Sequence, residues 1–445
     1  MDFFRQVGYN VLFFFGFILT GPYYAWRLWR RGKLWHMSGQ RLGFYPQKIK
    51  DRIGNGVDLW IHAVSVGEAM MAVVLIKELR RQNPMTTVVL STTTSTGRKV
   101  AETIKDQQTI IVYNPTDFLW SVSRAFEMIR PKLLILVEAE IWPNYLWCAK
   151  RREIPVYLIN ARLSKRTESR YRKFSFFCKP VLQLVDLVFA QDEKDVPRLE
   201  GAGFSSESIF VSGSLKYDVA EDSYSESSIE KWWSFVGWKP TDFVLLAGST
   251  HSGEEEVLGK IYKNLKIEFP HLRLLIAPRH AERGESVQGE MNALGLKSVL
   301  RGTITQSLNN GSVPEVLILN STGELKSVYS KATVVFVGKS LLSKGGQNFI
   351  EATRVGAPVV VGPHMQNFEN LTQHFREQGG ILQVQNEVEL EAQIRFLLNQ
   401  TQDRIALGEK GKVLYQENLG AAKRTARAIA QSLQAKKGCM MEVRS

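Results

Sequence analysis

Short β-branched runs alternate with helical segments along almost the whole chain, and this rhythm restricts the fold more than any single motif does. In the first half the strand candidates are "VDLWIHAV", "MTTVVLSTT", "TIIVYN", "KLLILVEAE", "IPVYLINAR", "LVFAQD" and "IFVSGS". Helical segments such as 67–81 and 116–129 lie between them. This is the βαβ pattern of a parallel sheet with helices on both faces, an α/β class fold. The polar stretch "DVAEDSYSESSIEKWW", Asp218 to Trp233, reads as a linker. The rhythm then resumes with "DFVLLAGST", "LRLLIAPRH", "EVLILNST", "ATVVFVGKS" and "APVVVGP". The expected architecture is two Rossmann-like doubly wound domains, 31–220 and 221–445, facing each other across a cleft, behind an N-terminal segment 1–30. In open parallel sheets ligands bind beyond the carboxyl ends of the strands, so those ends are the places to search.

The chain has 445 residues, enough for two sizeable cores, and carries a formal net charge of +13. Such a balance favours anionic partners: phosphates, nucleotides, nucleic acid or an acidic membrane surface. No RNP-like pattern, zinc-finger spacing or recognition-helix signature occurs, which argues against nucleic acid. Cys148, Cys178 and Cys439 are too scattered for a disulfide framework or a C-x-x-C pair, as suits a reducing compartment. The seven histidines lack metal-ligand spacing, so no metal held by side chains alone is expected, and no cofactor is called for.

The N-terminus is unusual. An apolar run from Val11 to Ala25 is bordered by Tyr9, Tyr23, Tyr24, Trp26 and Trp29, and Arg27, Arg30, Arg31 and Lys33 follow. Aromatic borders and basic flanks are what a membrane interface selects. A cleaved signal peptide would place its basic residues first and end in a small-residue site. A retained anchor is therefore expected, spanning once or lying in the interface, with the body of the protein in the cytoplasm.

At the strand ends of the second half the polar clusters are Gly248–Glu254, which includes Ser249, then Pro278-Arg279-His280, Gly338-Lys339-Ser340 and Gly345-Gly346-Gln347-Asn348. Two glycines ahead of a helix would let a phosphate reach backbone N–H groups. Glu351, one turn on, could accept from both hydroxyls of a ribose. Arg279 offers a planar fork of donors to a phosphate. Plainer readings exist: a tight turn at Gly345-Gly346, an Arg279–Glu282 ion pair, a dipole-favoured Glu351. Together these residues point to a nucleotide site that is neither a P-loop nor a G-x-G-x-x-G site.

In the first half, "LWIHAVSVGEAMM" carries Ser65 and Glu68 at a strand-to-helix junction. The pair reads as a capping box, or as a carboxylate base on a cleft. Glu138 closes the strand "KLLILV", where burial would raise its pKa unless it is partnered. Arg41 in "RLGFYP" links the N-terminal segment to the first sheet, and Arg162, Lys165 and Arg166 form a basic group. That group reads either as partners for an anionic substrate or as a solvated face.

The ordered segments "RLGFYP", "IHAVSVGE", "STTTSTG", "VEAEIWPN", "NARLSKR", "VSGSLKYD", "GSTHSGEEE", "IAPRHAER" and "GGQNFIEATRVGAPVVVGPHMQNF" resemble those of the Kdo transferases. These membrane-anchored enzymes add 3-deoxy-D-manno-octulosonic acid (Kdo) to lipid A precursors. The resemblance runs from about residue 41 to about residue 370 and implies a GT-B glycosyltransferase fold. It further implies CMP-Kdo as donor, a lipid A precursor as acceptor, and metal-independent inversion at the anomeric carbon. By the same likeness Glu68 matches the catalytic glutamate and Glu138 an acceptor-side carboxylate. Arg279, Ser340, Asn348 and Glu351 match donor-site positions, the nucleotide lying on the second domain and the acceptor on the first. Three departures bear on the donor side: Asn320-Ser321-Thr322 before Gly323-Glu324 where the family often has Asp-Thr, Gly338-Lys339-Ser340 where it commonly has Gly-Gly-Ser, and Gly345-Gly346-Gln347-Asn348 for Gly-Gly-His-Asn.

The reaction expected on these grounds is removal of a proton from a sugar hydroxyl by Glu68 as it attacks the donor. Arg41 and Arg162 would help on the acceptor side; Ser249, Gly345 and Gly346 would help at the nucleotide. The alternatives are another GT-B enzyme, such as a UDP-sugar transferase or a 2-epimerase, and a membrane-tethered nucleotide-binding module. In the last of these Glu68 would be a cap and nothing else.

Overall fold

A computed structural model of the chain describes residues 2–30, 38–104, 106–222, 229–304 and 313–442. Residues 223–228 of the serine-rich linker lie outside this set, as do Arg31 and Lys33 of the basic flank. Packing divides the chain into two units, 1–219 with 419–445, and 220–418.

The first unit holds a sheet of seven strands: β1 (Val57–Ala63), β2 (Val88–Thr92), β3 (Thr109–Tyr113), β4 (Pro131–Val137), β5 (Val156–Ala161), β6 (Leu187–Ala190) and β7 (Ile209–Val211). Their order is β3-β2-β1-β4-β5-β6-β7 and every pairing is parallel. Helices cover both faces, so the central strands have no water-facing side, and Leu59 to Ala63 and Leu133 to Val137 are buried without alternation. Trp60 fills one layer edge-on to Phe126, at 4.9 Å between ring centroids, with its indole N–H donating to Ser91 Oγ at 2.9 Å. His62 is buried beside it, and burial pushes its imidazole down to about 4. The histidine ahead of Glu68 is thus a neutral residue of the core.

The second unit repeats the plan with β8 (Phe243–Thr250), β9 (Leu272–Pro278), β10 (Ser298–Leu300), β11 (Val316–Ile318), β12 (Val334–Val337), β13 (Val359–Val361) and β14 (Leu382–Gln383). The order is β10-β11-β9-β8-β12-β13-β14, again all parallel. The twelve strand candidates of the sequence are all present; β10 and β14, of three and two residues, have no counterpart among them.

Residues 419–442, expected with the second domain, belong to the first unit instead. Ala421, Ala422, Ala426 and Ile429 of the helix Ala421–Glu442 join the core formed by Leu59, Ile61, Met71 and Leu75. Asp218 fixes the start of that helix, accepting from the N–H groups of Gly420 at 2.9 Å and Ala422 at 3.1 Å. The N-terminal helix, Asp2–Arg30, is the one described helix long and apolar enough to cross a membrane.

Candidate active site

In each sheet the strand order reverses between two neighbours, β1 and β4 in the first and β8 and β12 in the second. Ligand crevices open at such switch points, beyond the carboxyl ends of the strands. Glu68 stands just past β1 and Glu138 just past β4.

Ser65 caps the helix Val66–Gln82, its hydroxyl accepting from the Glu68 N–H at 3.2 Å. The Glu68 carboxylate reaches back to the Val64 N–H at 2.7 Å. This is the capping box, shifted one residue towards the strand. Only 6 % of Glu68 is exposed. Burial, with Glu140 and Glu138 nearby, pushes its carboxyl up to about 7 against the opposing bonds from Val64 and Ser65. A cap alone would sit in water as a carboxylate; this one is poised to exchange a proton near neutral pH.

Glu138 adopts a left-handed backbone, φ +59°. Its Oε1 meets Lys216 Nζ at 3.1 Å and accepts from Asn160 Nδ2 at 3.4 Å. The partner that the sequence reading required is therefore Lys216, in "VSGSLKYD". Asn160 also takes a left-handed backbone, and its Oδ1 accepts from the Leu215 N–H at 2.9 Å. It joins the end of β5 to the segment that delivers Lys216. Neither Asn160 nor Lys216 stood among the expected site residues, although both lie in the matched segments. Arg41 donates to the Thr93 carbonyl at 2.5 Å and lies 5.9 Å from the Tyr113 ring centroid, beside the ends of β2 and β3. Burial lowers its guanidinium. Arg162 follows β5 directly and is half-buried.

At the second switch point a single buried carboxylate organises the strand ends. Glu254 accepts from the N–H groups of His251 and Lys339 through Oε2, at 2.9 and 2.7 Å. Through Oε1 it accepts from Ser340 and Leu341, at 3.0 and 3.1 Å. Neighbouring Glu255, also buried, takes the Arg283 fork and the Thr250 hydroxyl. The loops after β8 and β12 are thereby locked side by side. Around them stand His251, with its ring centroid 6.3 Å from that of His280, and Lys339. Burial, with Lys339 and His280 beside it, lowers the His251 imidazole. Arg279 follows β9, its N–H donating to the Thr250 carbonyl at 3.0 Å. Its side chain is exposed, and no described residue pairs with it, Glu282 included. Ser249, at φ +56°, belongs to the same strand end.

A family model described as 3-deoxy-D-manno-octulosonic-acid transferase matches residues 36–219. The 3-deoxy-D-manno-octulosonic acid transferase of Haemophilus influenzae is 31 % identical over 389 residues, 85 % of this chain and 90 % of the relative. The chain belongs to the Kdo transferase family. The Bordetella pertussis transferase of the same name is 30 % identical over 90 % of this chain and 94 % of its own. Among solved structures, the UDP-GlcNAc 2-epimerase of Neisseria meningitidis aligns with a TM-score of 0.59 over 85 % of this chain and 100 % of its own. At 15 % identity that likeness shows the fold, and the fold is GT-B.

Four donor-side residues named by the resemblance, Ser340, Gly345, Gly346 and Asn348, lie between β12 and the helix Ile350–Arg354. The Ser340 hydroxyl is fully buried, donating to the Val337 carbonyl at 2.5 Å and accepting from the Gly362 N–H at 2.8 Å. It pins the loop after β12 to Gly362. The Gly345 N–H is bonded to Gln366 Oε1 and the Gly346 N–H to the Lys339 carbonyl, each at 2.8 Å. Both glycines hold positive φ angles, 126° and 74°. Asn348 Oδ1 accepts from the Ile350 N–H at 3.1 Å at the start of the helix Ile350–Arg354. Glu351 in that helix is half-buried; burial raises its carboxyl, and Lys326 partly offsets this.

Gly338 makes the close approach of β8 and β12 possible. A Cβ there would lie 2.6 Å from Thr250 Cα and 2.8 Å from both Glu254 Oε2 and the Ser249 carbonyl. Gly338→Ala is expected to destabilise the second unit by about 1–3 kcal/mol, read from its urea midpoint.

Proposed function

We propose that this Kdo transferase family member moves Kdo from CMP-Kdo to a lipid A precursor, with inversion, without a metal and with release of CMP. The observation that carries the reading is Glu68: a shielded carboxyl with a pKa near 7 at a switch point. The acceptor hydroxyl gives its proton to Glu68 as its oxygen bonds to the anomeric carbon of Kdo. The bond from that carbon to the phosphate breaks, and CMP leaves with the electron pair. Charge growing on the phosphate meets Arg279, Lys339 and the histidine pair, donors that are already in position. Glu351 takes the ribose hydroxyls. Glu138 with Lys216, Arg41 and Arg162 orients the sugar and phosphates of the acceptor. The N-terminal helix holds the enzyme at the inner membrane with both units in the cytoplasm.

The test is incubation of the purified full chain with CMP-Kdo and a tetraacylated lipid A precursor, with and without EDTA. A mass gain of one or more Kdo units in both samples is expected. No gain, with UDP rather than CMP protecting the protein thermally, would move the reading to another nucleotide-sugar reaction. Because the Arg279 side chain stabilises nothing else in the described structure, Arg279→Ala should leave the melting midpoint unchanged. It should raise the KM for CMP-Kdo about 10- to 100-fold, the range of a charge-assisted hydrogen bond.

A further inference from the structure

The N-terminal helix carries two stripes of different chemistry. One runs through Gln6, Tyr9, Asn10, Phe13 and Phe17, at helical spacing, and is docked on the first unit. Tyr9 donates to Asp117 Oδ2 at 2.7 Å. Asn10 and Asn144 exchange amide hydrogen bonds at 3.1 and 3.0 Å, and Arg151 bonds Gln6 Oε1. Phe13 and Phe17 meet Phe118 edge-on at 5.2 and 5.0 Å. Asp117 and Asn144 are both buried under this contact, so the helix is keyed to the body by specific polar bonds. The other stripe is apolar and bare: Phe4, Leu12, Phe15 and Leu19 are 79, 75, 59 and 81 % exposed.

Docking from residue 6 to residue 17 takes twelve of the 19 residues in the apolar window Phe3–Gly21. The thirteen residues from Ile18 to Arg30 extend roughly 20 Å, short of the ~30 Å of hydrocarbon a span must cross. Tyr9 also stacks on Phe177, 6.2 Å between centroids, which sets the helix beside the segment 174–177. Phe174 and Phe176 there are 58 and 75 % exposed. Lys173 lies over the Phe174 ring and Arg5 over the Phe176 ring, at 5.8 and 4.8 Å. Bare aromatic rings paired with cations suit the headgroup level of an anionic leaflet, where the ring is buried and the charge meets lipid phosphate.

We propose that the helix lies in the plane of one anionic bilayer leaflet, held along the first unit by its polar stripe, with Phe174 and Phe176 entering the same leaflet. The proposal rests on the membrane attachment given above and replaces a span with a surface. Its test uses the full chain with a short epitope ahead of residue 2, in sealed inside-out membrane vesicles. Protease added outside should remove the epitope without detergent; an epitope protected until detergent is added would mean a span and overturn the proposal. In flotation with phosphatidylethanolamine–phosphatidylglycerol vesicles, the Phe174→Glu, Phe176→Glu double variant should partition about tenfold more weakly at an unchanged melting midpoint. Unchanged partition would remove these rings from the leaflet and overturn the shared surface. Kdo transfer to detergent-dispersed acceptor is measured alongside. A protein that transfers but never floats would end the membrane proposal and leave the transferase reading standing.

Discussion

Glu68→Gln is expected to reduce Kdo transfer by about 10²- to 10⁴-fold while the protein stays folded. The amide oxygen can still accept from the Val64 N–H, so the helix start survives, but the amide cannot take a proton from the acceptor. The pH dependence of the unaltered protein supplies a second reading with two opposite signs. The Glu68 carboxyl is raised from 4.5 to about 7, so the folded protein holds a proton that the unfolded chain gives up. The stability linked to that proton, on the order of 3 kcal/mol, is fully present below pH 4.5 and lost as pH rises through 7. Transfer runs the other way, because the base must be ionised: kcat/KM should climb as pH passes upward through about 7. Glu68→Gln should lose both trends. A variant that melts about 1 kcal/mol earlier and transfers at the original rate would make Glu68 a cap alone.

The second large effect is expected at Glu254. Glu254→Ala would leave four backbone N–H groups, on His251, Lys339, Ser340 and Leu341, without their acceptor inside the second unit. Each orphaned donor costs about 1–3 kcal/mol if water does not reach it, and the joint loss should be on the order of 4 kcal/mol. Glu254→Gln should help little. Each carboxylate oxygen serves two donors, so the amide NH₂ must face one pair in either orientation. Urea unfolding of the second unit and CMP binding should weaken together in both variants. A wild-type midpoint in Glu254→Ala would show that the two loops are held by other means.

Glu68 was visible in the chain as a candidate base, whereas Glu254 was visible only as the last member of a polar cluster at a strand end. Ser65 and Glu68 carried their capping signature and a place in "HAVSVGE", so the sequence pointed at both roles. Glu254 opens a helix among three consecutive acids, and a carboxylate there reads as an ordinary response to the helix dipole. Its four partners come from its own loop and from a second loop some 85 residues later, a pairing that no local pattern encodes. The same limit explains Ser340 and the Gly345-Gly346 pair. Residue type marked them as polar or permissive, but which partners their N–H and hydroxyl groups find depends on Gln366, Lys339, Val337 and Gly362. Glu138 was legible as a carboxylate that needed a partner, whereas Lys216 was not legible as that partner. The long apolar strands announced both sheets; β10 and β14 were too short to rise above their loops.

The return of the C-terminal helix to the first unit makes the second unit an insertion within the first. On the ribosome, then, the first sheet would emerge early but stay incomplete. The apolar face of Met71, Leu75 and Leu79 has no cover until Ala421 to Ile429 have been made. Roughly two hundred intervening residues must be synthesised first, and at a rate of 5–20 residues per second that leaves the face bare for about 10–40 s. Trimming the last helix would therefore damage the unit that carries Glu68, the one farthest from the cut along the chain. During synthesis, the unit bearing the proposed base is the one that most needs shelter by chaperones.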